Sequence, residues 1–344
     1  MVAAPGEVQD VVLAAVAAQD LAAEVVTDPE LLAGQWRSAG TVLVAADQAG
    51  RVAARALPHR AGVYLVGADV AQLSEWSAPL AAQVIPLPQA GAWLGSVLAE
   101  GSGRARAPVV AVVGGSGGVG ASTLAAALAQ LAAENPSGAA AGPIGSALVD
   151  VDSLGGGIDL LLGAESTGGW RWPRLNAAEG QLGDLRHHLP VVDGVSVVAM
   201  ARGPAPDLAR EPLAAIVGAL RAWHRLVVVD TGRSQTSATR EALRLAGRQL
   251  VVVASGVRGA AAARQVVEVL GLDRAELVVR GRGLPADVVA EAVGCPVLAL
   301  LPNEPGLVAA AERGEPPARG ARRRYRRAVA GLAGELTGTG QGRG

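Results

Sequence analysis

The chain of 344 residues has no lysine and no phenylalanine, one cysteine, Cys295, and only two tyrosines and two methionines. Every basic side chain is therefore an arginine or a histidine, and chemistry that requires a lysine is excluded. A lone cysteine rules out an intramolecular disulfide and suits a reducing cytoplasm, with Cys295 expected as a small core residue. No apolar run reaches the about 18 residues that a spanning helix needs, and "MVAAPGEVQDVVLAAVAAQD" has acidic interruptions and no basic leader. A soluble cytoplasmic protein is expected, at most peripheral to the inner face of the membrane. Charge imbalance is missing too: thirty basic against thirty-one acidic residues leave −1, which gives no general pull toward nucleic acid or anionic membrane. No specific nucleic-acid partner is expected. The wealth of alanine, glycine, valine and proline has the character of GC-rich coding, a bias that turns lysine into arginine but not into alanine.

Half of the residues are hydrophobic, and the length suffices for two domains. The Gly- and Arg-rich "LAEGSGRARAP" reads as an interdomain break, giving a domain over 1–100, a linker over 101–108, a larger domain over 109–336 and a disordered tail over 337–344. Upstream, "TVLVAAD", "GVYLVGAD" and "AQVIPLP" have strand length and alternate with alanine-rich stretches, which predicts a small α/β domain. Downstream, "PVVAVVGG", "SALVDVD", "GVSVVAM", "RLVVVDTG", "QLVVVAS", "ELVVRG" and "PVLALLP" are near-continuous Val/Leu runs, the pattern of strands covered on both faces. With helices such as Ser122–Glu134 and Thr239–Ala246 between them, the fold class is α/β with a doubly wound, mostly parallel sheet. "ENPSGAAAGPIG" reads as a flexible excursion.

Between the first of these strands and its helix lies "GGSGGVGAST". Gly115, Ser116, Gly117, Gly118, Val119, Gly120, Ala121, Ser122 and Thr123 are the candidate nucleotide-binding residues, because a glycine-rich loop at a helix N-terminus offers backbone N–H groups and favourable partial charge to phosphate. The spacing fits G-x-x-x-x-G-K-[ST] except that Ala121 holds the lysine place. Gly115, Gly117 and Gly120 also satisfy G-x-G-x-x-G, so an NAD(P)-binding Rossmann enzyme remains a competing reading. Asp150 and Asp152 end one predicted strand and Asp230 another, where an open parallel sheet binds ligands. Ser122, Asp152 and Asp230 are the candidate magnesium ligands and Asp152 the candidate catalytic residue. Taken singly, each aspartate suits a turn or cap equally well.

"SGGVGAST", "LVDVDSLGGGIDLLLG", "LVVVDTG" and "VGCPVLALLPNEPGLVAAAERGEPP" together resemble MinD/ParA-type ATPases over Val109–Pro317. The first domain resembles the degenerate receiver-like domain of CpaE/TadZ-type relatives, and "GGWRWPRLNAAEGQLGDLRHHLP" resembles the actinobacterial CpaE-like subgroup called septum site-determining protein. The resemblance implies ATP and Mg2+ as cofactors, a nucleotide-linked homodimer, and partners in the division machinery or in a Tad-type pilus or secretion apparatus. It also implies lysines where Ser116 and Ala121 stand, so weak ATP binding with slow or absent hydrolysis is expected. Arg233, just after "VVVDTG", is the candidate cationic replacement.

Four smaller features carry expectations. Asp47 occupies the place of a receiver's phosphoacceptor, but with no acidic cluster and no lysine the domain is expected to dock a partner instead. His187 and His188 lack zinc spacing and are expected at the surface. Trp170 and Trp172 either meet a partner or pin their loop to the core. In "ARGARRRYRRAVAGLAGEL", Tyr325, Val329, Leu332 and Leu336 share one helical face, favouring packing on the domain over membrane contact.

Overall fold

The computed structural model describes residues 1–18, 21–101, 106–134, 145–176, 184–203 and 208–338. They divide into two compact units, Met1–Ala105 and Arg106–Gly344. Residues 135–144 of the expected excursion, most of the expected tail and Ala177–Gly183 of the tryptophan-rich segment lie outside the described residues.

In the first unit, β1 (Val42–Ala45), β2 (Val63–Gly67) and β3 (Gln83–Pro86) form a parallel sheet in that order. Val2 forms parallel bridges to both Val26 and Val44. The extended segments thus lie in the order 2-1-3-4-5, which is the flavodoxin-like arrangement. Val2, Val44, Leu65 and Ile85 are fully buried at its centre. The helix Val70–Leu80 starts where Asp69 accepts hydrogen bonds from the N–H groups of Ala71 and Gln72, a side-chain cap for otherwise unpaired donors. Asp47 is exposed on the short turn after β1 and accepts from Gln48 Nε2 at 2.8 Å. The residues after the first extended segment are Ala3, Ala4 and Pro5, so no acidic cluster faces it there.

The second unit contains β4 (Val109–Gly114), β5 (Ser146–Asp150), β6 (Val191–Val192), β7 (Val195–Val198), β8 (Val227–Asp230), β9 (Arg248–Ala254), β10 (Ala275–Arg280) and β11 (Val297–Leu301). They form one sheet in the order β11-β10-β9-β4-β8-β5-β7-β6. All neighbours are parallel except β6 and β7. The antiparallel edge β6 went unanticipated because two residues carry no periodicity. β4, β5 and β8 are buried at every position, as strands covered on both faces must be.

Helices Arg210–Trp223, Ser237–Leu245, Val257–Leu270 and Ala286–Val293 cover one face. The other face carries the helix Ala121–Glu134, buried continuously from Leu124 to Ala132. That helix tolerates burial all round because Arg323–Leu336 packs over it with Tyr325, Val329, Leu332 and Leu336 inward, the face anticipated from the spacing. Arg326 Nη2 to Glu134 Oε2 at 2.8 Å ties the two helices together. Cys295 is half-buried at the margin of the core rather than within it.

Candidate functional site

β8 lies between β4 and β5, so the loops at the carboxyl ends of these three strands meet. In the dinucleotide-binding order 3-2-1-4-5-6, the second strand adjoins the first. Here β8 separates β4 from β5, and the order gives the Rossmann reading no support.

The loop after β4 is shaped by one backbone hydrogen bond to the sheet and by two glycines at positive φ. Gly115 N–H donates to Val252 O at 2.9 Å, which fixes where the loop leaves the sheet and removes that N–H from ligand binding. The backbone N–H groups from Ser116 to Gly118 and from Gly120 to Thr123 find no acceptor among the described residues, while Gly117–Gly118 form a turn that directs Val119 N–H toward Ser116 O. Gly118 and Gly120 have φ of +67° and +95°, conformations that glycine adopts without steric cost. A run of unpaired N–H groups leading into a helix N-terminus is an anion-binding nest.

Ala121 opens the helix half-buried, with its methyl group packed against the core, while Ser122 is exposed one residue later. The Ser122 hydroxyl hydrogen-bonds the Asp230 carboxyl. Ser122, Thr123, Asp150, Asp152, Asp230 and Glu312 all line one cavity of about 250 Å³. Asp152 Oδ1 accepts from Leu154 N–H at 3.1 Å. Its carboxyl fits only because residue 232 is glycine: a Cβ there would lie 2.5 Å from Asp152 Cγ.

Asp150 does different work. Its two oxygens accept from Asp152 N–H at 3.0 Å and Ile158 N–H at 2.9 Å, folding the segment that carries Asp152. Burial first, and then the charge of Asp230, pushes its pKa up to about 8. Burial likewise raises Asp230 to about 6, with the Ser122 hydroxyl pulling the other way. Both effects disfavour two bare carboxylates in this cavity.

The donor set of hydroxyl and carboxyl oxygens suits Mg2+, which typically takes one or two carboxylates together with phosphate oxygens and water. Among the described residues no group of three His, Cys, Asp or Glu side chains could hold an ion.

The sequence reading missed three residues that shape this cavity. Asp159, fully buried, accepts from Arg202 Nη2 at 2.7 Å and from Arg171 Nε at 3.1 Å. Arg202 also donates to Gly156 O at 2.9 Å, so the pair clamps the segment between Asp152 and Ile158. Trp172 is fully buried and its Nε1 donates to Asp150 O, which makes it a pin for the strand end. Trp170 instead stacks on His188 at 4.2 Å, and His187 and His188 are exposed.

Arg233, Arg280 and Arg282 border the loop, the last two lining a cavity with Ser116–Val119. Arg280 Nη1 donates to Val119 O at 2.7 Å and Nη2 to Asn303 Oδ1 at 3.3 Å. Arg233 lies against Gly117, with Nη2 3.3 Å from where a Cβ of that residue would be.

Residues 2–109 match the family model described as "Rv3660c-like, CheY-like N-terminal domain". The uncharacterized protein Rv3660c of Mycobacterium tuberculosis strain H37Rv is 37% identical over 321 residues, covering 88% of this chain and 86% of the relative. The uncharacterized protein MT3760 of strain CDC 1551 matches equally. Among solved structures, a ParA family ATPase from Chlorobium tepidum superposes with a TM-score of 0.56 at 17% identity, over 67% of this chain and 98% of its own. The septum site-determining protein MinD from Pyrococcus horikoshii, complexed with Mg-ADP, gives 0.53 at 16% over 67% and 96%. The MinD cell division protein of Aquifex aeolicus gives 0.51 at 20% over 67% and 97%. The larger unit therefore has the MinD/ParA-like fold.

Proposed function

The chain belongs to the Rv3660c-like family, and from that premise we propose that it is a nucleotide-responsive spatial regulator whose larger unit binds ATP with Mg2+ weakly and hydrolyses it slowly or not at all. The observation that carries this reading is the run of N–H groups from Ser116 to Thr123, unpaired but for the turn at Gly117–Gly118, beside a cavity lined by Ser122, Asp152 and Asp230. Backbone donors survive any side-chain change, so the loss of both lysines leaves an anion site in place. Turnover needs more, because charge developing on the transferred phosphoryl must meet cations fixed in advance. Ser116 and Ala121 supply none. In this reading Ser122, Asp152 and Asp230 would hold Mg2+, which would supply charge neutralisation, and Asp152 is the candidate catalytic residue.

The MinD proteins of similar fold have names that speak of cell division and septum-site determination, and a MinC:MinD complex is among the solved structures of similar fold. We extend that theme to this chain: its first unit docks a partner, and the nucleotide state of the second, including a nucleotide-linked homodimer, sets where the partner acts. The partner belongs to the division septum or to a Tad-type pilus or secretion apparatus, with the chain at work in the cytoplasm or at the inner face of the membrane. The apolar stripe of the terminal helix is spent on the domain core, so lipid insertion by that helix is not part of the reading. Overproducing the full chain in its host and recording septum position and cell length tests it. Displaced septa, or intact septa with lost pilus assembly, would support a spatial role; normal division and normal assembly both on overproduction and on deletion would refute it.

A further inference from the structure

Resting on the nucleotide reading above, we propose that Arg233 is a phosphate-contacting side chain, supplied from the segment after β8 to replace in cis the charge that the loop lacks. Arg280 and Arg282 line the cavity beside Ser116–Val119, and Arg280 differs from Arg233 in what it already does. Arg280 spends its Nη atoms on Val119 O and Asn303 Oδ1, bracing the outside of the loop against the ends of β10 and β11. Arg233 makes no hydrogen bond and no ion pair among the described residues, although Asp152 packs on its neighbour Gly232. It is exposed, and its guanidinium rests on Gly117, beside Ser116. An exposed arginine with no protein acceptor, set beside a nest of largely unpaired N–H groups, keeps its donors free for an anion with several acceptor oxygens.

The placement also links ligand to segment. Arg233 follows three residues after Asp230, the carboxyl that holds Ser122, so phosphate on the loop would engage Arg233 directly and Asp230 only through Mg2+. Because its side chain is exposed and otherwise unheld, Arg233 strengthens ground-state binding more than it organises a transition state, which rewards only charges fixed beforehand.

The test is equilibrium binding of ADP with Mg2+ to the full-length protein and to Arg233→Ala, Arg233→Lys and Arg280→Ala, with inorganic pyrophosphate as a second probe and unfolding midpoints as the control for folding. Arg233→Ala should weaken ADP and pyrophosphate alike by about tenfold or more, at an unchanged midpoint. Arg233→Lys should recover part of the loss, and the Arg233→Ala defect should shrink as salt rises. Arg280→Ala should lower the midpoint by unbracing the loop. Wild-type protein that binds ADP no more tightly than Arg233→Ala does would overturn this inference and leave the nucleotide reading standing. Wild-type protein that binds neither ADP nor pyrophosphate would overturn both.

Discussion

Asp150 and Asp230 are register partners on the adjacent parallel strands β5 and β8, and their buried carboxyls line one cavity. Burial is the larger cause, and the neighbouring charge the second, that pushes Asp150 up to about 8; burial also lifts Asp230 to about 6. The unfolded chain releases both protons near the ordinary value of 3.8.

Between those limits the folded protein holds protons that the unfolded chain has lost, so the contribution of these groups to stability falls as pH rises. Urea unfolding without Mg2+ should show stability declining from about pH 5 to about pH 8. Asp230→Asn should flatten that decline and gain about 1–2 kcal/mol at the alkaline end, by removing a buried like charge. Mg2+ alone should change little there, and Mg2+ with ADP should raise the midpoint of the wild type but not of Asp230→Asn. Stability that rises over this range would contradict the arrangement.

Asp159 faces Arg171 and Arg202 while almost wholly buried. Asp159→Ala would leave a partly buried guanidinium without its carboxylate and release Gly156, so a loss of about 3 kcal/mol is expected, in line with breaking buried pairs. Hydrogen exchange should quicken over 152–158 before it quickens elsewhere. Uniform loss of protection across the unit would show that the clamp is global and not local.

The parts of this molecule that were legible in the sequence are those written as local patterns. β4, β5 and β8 are continuous apolar runs, and the terminal helix declares its inward face through Tyr325, Val329, Leu332 and Leu336. The loop was legible because glycine spacing is itself the signal. The clamp was not, because Arg171 and Arg202 meet Asp159 across 12 and 43 residues of chain, and nothing in an isolated Asp-Leu-Leu-Leu says that its carboxylate turns inward. Trp172 illustrates a two-way reading: partner contact and core pin have the same letters, and full burial with the bond to Asp150 O separates it from its stacked, half-buried neighbour Trp170.

Asp47 is exposed on its turn and already accepts from Gln48, with Ala3 and Ala4 where a metal-binding acid pair would be needed and no lysine in the chain. Acetyl phosphate with Mg2+ should therefore produce no acyl-phosphate at this residue by intact mass under acidic quench. A stable phosphorylated species that is lost in Asp47→Asn would show that the first unit is a working switch.

The central claim is that a lysine-free loop still retains a nucleotide without consuming it, and equilibrium dialysis of labelled ATP with Mg2+, followed by analysis of the bound nucleotide over hours, reads both halves in one sample. The account predicts saturable, Mg2+-dependent binding, weakened in Asp230→Asn, with the bound label recovered as intact ATP. No saturable binding, or bound label recovered mainly as ADP within the time a lysine-bearing relative needs, would contradict it.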